Sequence, residues 1–262
     1  MDLGLKDKVV IITGGSTGIG AATAKAFAAE GSKVAICART KDDILAFIDE
    51  AKAEGLDIYG ESVDVGKEDQ LAAFIDNVAG KFGRIDVLFN NAGVSCKTYL
   101  MDLSREEWDN VLNVNLTASW IGCKLVVPHM RAVGGGCIVS TTSLAARIAT
   151  TRRAIYAIAK AGINTMTALL ASELAKDNIR VNAVSPGIIM SEMHKRGVES
   201  DPKINMDYLT RTAIMQRIGE PEEIASVVLF LCSNMATYIT GEVLDISGGK
   251  FKVQDPWCSW EE

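Results

Sequence analysis

The sequence has few of the features that mark metal-binding or secreted proteins. Its six cysteines form no Cys-x-x-Cys pair, and neither histidine lies at zinc-ligand spacing from them. Most of the cysteines lie in apolar runs, where a free thiol packs as a small hydrophobe; the six are Cys37, Cys96, Cys123, Cys137, Cys232 and Cys258. We therefore expect free thiols in the reducing cytoplasm and no metal site.

Membrane and nucleic-acid signals are also missing. No run approaches the roughly 18 apolar residues that span a bilayer, and the first residues, MDLGLK, have no signal-peptide pattern. The net charge is −6, and an acidic surface repels phosphate backbones. We therefore predict a cytoplasmic protein with no membrane and no nucleic-acid partner.

What the sequence does contain is a regular alternation of apolar strands and helices. The predicted strands are residues 8–13, 33–38, 58–63, 87–90, 137–140, 180–184 and 243–246. The predicted helices are residues 21–30, 42–54, 68–82, 105–130, 156–176 and 222–233. This alternation predicts right-handed crossovers and one α/β domain, residues 1–262, with a doubly wound seven-stranded parallel sheet. Two segments interrupt the pattern: a polar stretch, 191–215, and the tail, 250–262.

A glycine-rich turn, residues 13–20 (TGGSTGIG), joins the first strand to the first helix. The N-terminus of a helix presents unpaired N–H groups and the positive end of its dipole. Glycine lets the backbone come close to a pyrophosphate. The spacing differs from the usual Gly-x-Gly-x-x-Gly fingerprint, and a plain glycine turn is the alternative. The position between strand and helix favours a dinucleotide site.

Residues at the ends of the next strands indicate which dinucleotide binds. An acidic residue at the end of the second strand would bind the ribose 2′-hydroxyl of NAD, whereas Arg39 suits the 2′-phosphate of NADP. We predict NADP(H), with NAD(H) possible; a solvated Arg39 is the alternative. Asp64 and Val65 follow the third strand, where a carboxylate can accept from the adenine amino group. Residues 90–93 (NNAG) end the fourth strand at the ligand edge of the sheet, or form a simple turn there.

Tyr156 and Lys160 lie four residues apart on a predicted helix, so they share one face. A free tyrosine has a pKa of about 10, and a nearby ammonium is expected to lower it toward the range that suits general acid–base catalysis. Ser143 lies just past a strand that ends at the same edge of the sheet, where its hydroxyl can hydrogen-bond a substrate oxygen. Each residue alone has a structural alternative: packing for the pair, a cap for the serine.

Together these motifs resemble the classical short-chain dehydrogenase/reductase family, over residues 8–249. The matching motifs are residues 13–20, 90–93, Asn115, Ser143, Tyr156 with Lys160, Pro186 with Gly187, 239–241 and 248–249. The resemblance implies a Rossmann fold and hydride transfer between a nicotinamide cofactor and a carbonyl or alcohol substrate. It also implies a homotetramer that pairs through the long helices after the fourth and fifth strands.

The resemblance assigns roles to individual residues. Tyr156 would exchange a proton with the substrate oxygen, and Ser143 would orient that oxygen. Lys160 would hold the nicotinamide ribose and tune Tyr156, and Asn115, rather than the neighbouring Asn113, would hold a water linked to Lys160. The expected cofactor-binding residues are Gly14, Ser16, Thr17, Gly18, Ile19, Arg39, Asp64, Val65, Asn91, Ala92, Gly93, Tyr156, Lys160, Pro186, Gly187, Ile189 and Ser191. Residues 191–215 would form a substrate lid.

The substrate is less clearly indicated. Arg147, Arg152 and Arg153 lie between Ser143 and Tyr156, and one hypothesis is that they attract an anionic substrate; a solvated loop or a subunit contact is the alternative. Bacterial 3-oxoacyl-carrier-protein reductases resemble the chain, but glycines fill positions 134–136, where those enzymes carry basic residues. That activity is therefore kept as an alternative, beside dehydrogenation of a sugar, polyol or steroid alcohol. A protein that binds NADP without activity is a remote alternative, because both Tyr156 and Lys160 are present.

Overall fold

The computed structural model describes residues 2–148, 151–190, 206–253 and 256. Its seven strands form one parallel sheet in the order β3-β2-β1-β4-β5-β6-β7. The strands are β1 (Val9–Thr13), β2 (Lys33–Ala38), β3 (Ile58–Ser62), β4 (Val87–Asn90), β5 (Gly136–Thr141), β6 (Ile179–Pro186) and β7 (Val243–Ile246). The predicted doubly wound seven-stranded sheet is confirmed.

Helices cover both faces of this sheet. They are α1 (Gly18–Ala29), α2 (Lys41–Ala53), α3 (Glu68–Phe82), α4 (Arg105–Leu112), α5 (Ala118–Ala132), α6 (Ala154–Leu174), α7 (Met206–Arg211) and α8 (Pro221–Cys232). Side chains alternate along a strand, so Val9 and Ile11 of β1 face one core, while Val10 and Ile12 face the other. All four are fully buried, which explains why the strand is an unbroken apolar run.

The strand order reverses between β1 and β4, since the chain builds the sheet outward from β1 in both directions. In open α/β sheets the ligand crevice lies at the carboxyl ends of the strands at this switch point. The glycine-rich turn follows β1, and residues 91–93 follow β4. Both candidate cofactor segments therefore lie on opposite sides of one crevice.

The long helix predicted over residues 105–130 is interrupted. A π-helical turn, Asn113–Thr117, separates α4 from α5. Within this turn, the side-chain Nδ2 of Asn115 donates to the carbonyl of Val111 at 2.9 Å. That carbonyl is the i−4 acceptor that the backbone N–H of Asn115 would use in an α-helix. Single π-turns inside α-helices are frequent at functional sites.

Two helical stretches, Arg105–Ala132 and Ala154–Asp177, are long and apolar enough to cross a membrane by length and composition. Neither stretch is an uninterrupted apolar run; both reach this hydropathy only as an average over 18 residues. In the fold, α5 packs on β4 and β5, and α6 packs on β6. In Arg105–Ala132, 56% of the most apolar 18-residue window is buried, and in Ala154–Asp177 the buried share is 39%. Core helices of globular domains share these properties, so the two stretches are weak evidence for a membrane span.

Candidate active site

The glycine-rich turn brings three backbone segments into contact. A Cβ on Gly20 would lie 2.1 Å from the carbonyl oxygen of Gly14, and a Cβ on Gly14 would lie 2.9 Å from Cα of Ala92. Gly14 also has a φ of +65°, which favours glycine. The turn ends at α1, whose first N–H groups have no partner inside the helix. This close approach leaves a backbone-lined surface at the positive end of α1, as a pyrophosphate requires.

The side chain of Asn91 hydrogen-bonds to residues at the ends of neighbouring strands. Its Nδ2 donates to the carbonyls of Thr13 and Gly14 at 3.2 and 3.0 Å, and Thr141 Oγ1 donates to its Oδ1 at 3.3 Å. The Thr13 hydroxyl in turn accepts from the backbone N–H groups of Asn91 and Ala92. The side chain of Asn91 therefore joins the ends of β1, β4 and β5. Its contact with the cofactor stays a prediction.

The two asparagines of the π-turn serve different ends of the crevice. Asn113 Nδ2 donates to the carbonyl of Gly66 at 2.8 Å, and Asp64 Oδ1 accepts from the Gly66 N–H at 3.0 Å. Asn113 thus supports the loop after β3, where the adenine is expected. Arg39 is exposed at the neighbouring strand end, and its carbonyl accepts from Ser62 Oγ at 2.8 Å.

Asn115 faces the other end of the crevice. Its Nδ2 donates to the carbonyls of Val94 and Val111. Its buried Oδ1 has no hydrogen-bond partner within the part of the chain that the structure describes. A Cβ on Gly93 would lie 2.7 Å from that oxygen and 3.7 Å from Lys160 Nζ. Gly93 thus leaves space between two polar groups, and such a space suits a water molecule or a ligand hydroxyl.

Ser143, Tyr156 and Lys160 meet at the carboxyl ends of β5 and β6. Ser143 begins a short 3-10 helix, Leu144–Ala146, and its Oγ accepts from the N–H of Ala145 at 3.2 Å. The side chains of Ser143 and Tyr156 lie close enough for a hydrogen-bonding interaction that affects the titration of Tyr156. Lys160 is only 3% exposed. Its Nζ lies 5.6 Å from the centre of the Tyr156 ring and donates to the carbonyl of Thr141 at 2.6 Å.

The charges of this cluster differ from the sequence-based expectation. Burial raises the pKa of Tyr156, although the Ser143 hydrogen bond and the charge of Arg153 oppose the increase. We expected Lys160 to lower the pKa of Tyr156, and that expectation is wrong for the protein alone. Burial also lowers the pKa of Lys160 to about 7, so its ammonium charge is incomplete at neutral pH. Desolvation is therefore the main cause of both shifts.

The end of β6 forms the side of the crevice where nicotinamide is expected. The N–H of Gly187 donates to the carbonyl of Ile246 at 2.9 Å, and the buried Ile189 pairs with Gly219. The backbone here is fixed against β7, at the position where the resemblance predicts nicotinamide contacts for residues 186–189. Ser191 and residues 192–205 of the predicted lid lie outside the described residues.

Two features of the site have little or no signal in the sequence. Arg147, which the sequence suggested as an attractor of anions, makes a bidentate salt bridge with Asp245, at 3.0 and 2.8 Å. The two residues are 98 positions apart, and no local pattern joins them. Arg153 lies close enough to Tyr156 to affect its titration. Its position three residues before the tyrosine, nearly one helical turn, was the available signal.

Comparison with known proteins assigns the family. Residues 14–250 match the family described as Enoyl-(Acyl carrier protein) reductase. A 3-oxoacyl-(acyl-carrier-protein) reductase from Thermotoga maritima is 39% identical over 94% of this chain and 98% of its own. The chain belongs to the short-chain dehydrogenase/reductase family. It is an NAD(P)-dependent oxidoreductase, as the sequence predicts.

Further members of the short-chain dehydrogenase/reductase family show how widely the fold is used. A 3alpha-hydroxysteroid dehydrogenase from Mediterraneibacter gnavus is 36% identical over 93% of this chain and 97% of its own. The crystal structure of L-sorbose reductase from Gluconobacter frateurii, complexed with NADPH and L-sorbose, has a TM-score of 0.91. That enzyme is 33% identical over 97% of this chain and 100% of its own. Carrier-bound acyl groups, steroids and sugars all occur among the relatives' names.

Proposed function

We propose that this protein interconverts a carbonyl compound and a secondary alcohol, with Tyr156 as the proton donor and acceptor and NADP(H) as the preferred cofactor. The observation that carries the proposal is the convergence of Ser143, Tyr156 and Lys160 at one edge of the sheet, beside the crevice of the strand-order reversal. When bound, the cofactor supplies or accepts the hydride. The protein residues supply the proton and hold the reacting oxygen.

Ser143 and Tyr156 would act together on the oxygen of the substrate. Ser143 Oγ already accepts from the N–H of Ala145, so its own proton is available to the Tyr156 oxygen or to a substrate oxygen. In reduction, the protonated Tyr156 donates to the carbonyl oxygen, while the hydroxyl of Ser143 stabilises the charge that develops there. The raised pKa of Tyr156 is consistent with a phenol that is protonated at neutral pH, as the proton donor in reduction must be.

Lys160 and Asn115 complete the proton route. Lys160 is held by Thr141 and has a pKa of about 7, so it can give or take a proton near neutral pH. Asn115 Oδ1, which has no hydrogen-bond partner among the described residues, faces the space beside Gly93 that Lys160 also borders. A water in that space would connect Lys160 to solvent. The same space suits a ribose hydroxyl, so the pair fits the cofactor as well.

The remaining cofactor contacts follow the length of the crevice. We assign the pyrophosphate to the glycine-rich turn, the adenine to the loop after β3, and the nicotinamide to the end of β4 and the segment after β6. The residues are Gly14, Ser16, Thr17, Gly18, Ile19, Asp64, Val65, Asn91, Ala92, Gly93, Pro186, Gly187 and Ile189, with Ser191 outside the described residues.

Arg39 provides a test of the cofactor preference. Arg39→Ala removes a charge-assisted hydrogen bond of about 1.5–3 kcal/mol to the 2′-phosphate, so we expect KM for NADPH to rise by about tenfold or more. KM for NADH should change little, because NADH has no 2′-phosphate. Steady-state kinetics with both cofactors measures the difference. Lys33→Ala, at the exposed amino end of the same strand, is the matched control, and equal effects of Arg39→Ala on both cofactors would contradict the assignment.

The substrate class is tested by a panel drawn from the relatives. NADPH oxidation is followed with an acetoacetyl thioester, L-sorbose and a 3-ketosteroid, together with simple ketones and keto acids, and with NADH in parallel. We expect reduction of at least one carbonyl class, faster with NADPH. If NADPH binds, yet no carbonyl is reduced and no corresponding alcohol is oxidised with NADP⁺, the protein is the cofactor-binding protein without activity. Turnover of thioesters alone would favour the acyl-carrier substrate.

We also propose a cytoplasmic homotetramer, assembled through α5 and α6. Trp120 of α5 and Leu169 of α6 are 48% and 59% exposed, and exposed large apolar side chains on adjacent helices favour an interface. The acidic net charge and the buried free thiols Cys37, Cys123 and Cys137 suit this compartment.

The tetramer can be tested by light scattering. We expect a mass four times that of one chain. Leu169→Glu should reduce the mass to that of a dimer or monomer, because it places a charge in the apolar interface. Leu45→Glu changes a side chain that is similarly exposed, at 50%, on α2, and should keep the tetramer. A monomer mass for the unmodified protein would refute the proposal.

A further inference from the structure

Asp245 of β7 is the centre of a charge cluster that reaches the loop of Ser143. Arg147 donates to both of its carboxylate oxygens, from Nη1 at 3.0 Å and from Nη2 at 2.8 Å. Lys252, beyond the end of β7, donates to Oδ2 at 2.6 Å. The side chain of Asp245 is only 10% exposed, whereas those of Arg147 and Lys252 are 44% and 53% exposed.

This geometry is more ordered than an ordinary surface ion pair. A bidentate arginine–carboxylate pair fixes both orientation and distance. Burial by itself disfavours the charged form of Asp245 and would raise its pKa. The hydrogen bond from Lys252 and the charges of Arg147 and Lys252 nevertheless hold the pKa of Asp245 below its usual range. Asp245 is therefore ionised at neutral pH, and its mostly buried carboxylate forms salt bridges with two cationic side chains.

The cluster is connected to Ser143 through one short turn. Arg147 is the residue that ends the 3-10 helix Leu144–Ala146, and its N–H donates to the carbonyl of Leu144 at 3.0 Å. Ser143 begins the same turn, and its Oγ accepts from the N–H of Ala145. Thus the orientation of the Ser143 hydroxyl depends on the turn, and the far end of the turn is fixed to β7 by Asp245.

We propose that Asp245 is a positioning residue for the reaction: through Arg147 it holds the turn that aims the Ser143 hydroxyl at Tyr156 and the substrate oxygen. The salt bridge from Lys252 to Asp245 connects the segment after β7 to the same turn. The inference rests on the proposed function, since it assigns Ser143 a role in turnover. Asp245 itself does not touch the reacting atoms.

The test is a double-mutant cycle on kcat. It uses NADPH and the carbonyl compound of the panel that the unmodified enzyme reduces fastest. Displacing a reacting group by about 1 Å can cost up to about 100-fold in rate, and losing one donor to a developing oxyanion costs about 100- to 1000-fold. We expect Asp245→Asn to lower kcat by about tenfold and Ser143→Ala by about 100-fold. The double variant should match Ser143→Ala alone within about twofold, because both changes remove the same interaction.

Matched controls separate positioning from general destabilisation. Asp177→Asn breaks a similar pair, in which Arg131 donates to Asp177 from Nε and Nη2 at 2.9 and 2.7 Å, at the opposite end of the sheet. It should leave kcat unchanged. The dissociation constant of NADPH, measured by fluorescence, should stay the same in Asp245→Asn. Asp245→Glu, which keeps the carboxylate, should recover part of the lost kcat.

Arg147→Lys provides a second route if Asp245→Asn does not fold. It keeps the charge of an exposed side chain and removes the bidentate geometry, and its effect should also vanish in the Ser143→Ala background. An unchanged kcat in both variants, or effects that multiply with that of Ser143→Ala, overturns the inference. If Tyr156→Phe retains full activity, the proposed function fails instead, so the two failures are distinguishable.

Discussion

Tyr156→Phe should lower kcat for carbonyl reduction by about 1000-fold or more, while the protein folds and binds NADPH normally. General acid–base catalysis contributes about 100- to 10,000-fold, and the phenol of Tyr156 interacts with Ser143 in the cluster. The substitution removes one oxygen and keeps the ring, which lies 5.6 Å from Lys160 Nζ. Single-turnover kinetics with bound NADPH would measure the loss directly.

The controls for Tyr156→Phe address the packing and the charge of the site. Tyr59→Phe removes a phenol oxygen that hydrogen-bonds Glu61 at 2.6 Å, far from the crevice edge, on β3, and should leave turnover unchanged. The dissociation constant of NADPH should be similar in both variants and in the unmodified protein. Turnover by Tyr156→Phe at the rate of the unmodified protein would eliminate the proton-transfer role.

Much of the architecture could be predicted because it depends on short-range patterns. The bounds of β2, α3, β4 and β7 match the predicted segments residue for residue, since apolar periodicity and turn residues mark them. β6 extends to Pro186, beyond the predicted end at residue 184. Its last residues pair with Asp245 and Ile246 of β7, and pairing between strands so distant in sequence has no local signal.

Some features of the candidate site could also be predicted from the sequence, and others could not. The order of the motifs was sufficient to identify the residues that meet at the sheet edge, since parallel strands all present their carboxyl ends there. The π-turn was not predictable, because the apolar periodicity of residues 105–130 does not show that the side chain of Asn115 bonds the carbonyl of Val111. The pKa of Tyr156 was expected to move in the other direction. The sequence shows that the ammonium of Lys160 lies four residues from Tyr156. The free-energy cost of burying that charge depends on the packing of the whole core, which the sequence does not show.

That buried ammonium leads to the second large prediction, in which activity and stability change in opposite directions. Lys160→Met should lower kcat by about 100-fold or more, because the proton route loses its titrating group. The same change should stabilise the protein at pH 6. Burial lowers the pKa of Lys160 from 10.5 to about 7, so the folded state carries the full cost of the charged form only below about pH 7.

The sign of this effect follows from proton linkage. Between pH 7 and 10.5 the unfolded chain binds more protons at Lys160 than the folded chain, so the stability of the unmodified protein rises with pH in that window. At pH 6 Lys160→Met removes a penalty on the order of 3 kcal/mol, after allowance for the lost hydrogen bond to Thr141. Above pH 10.5 the amine is neutral in both states, and most of the gain should disappear.

Denaturant unfolding at pH 6 and at pH 10.5 measures both ends of this window. The matched control is Lys25→Met, since Lys25 is only partly buried and donates to Glu50 and Glu54, both at 2.7 Å. The glutamates raise the pKa of Lys25 although its partial burial opposes them, so its charge contributes no penalty for methionine to relieve. A Lys160→Met protein that is less stable than the unmodified one at pH 6 would show that Lys160 is a structural cation. A buried lysine that costs stability and titrates near pH 7 is instead consistent with a role in binding or turnover.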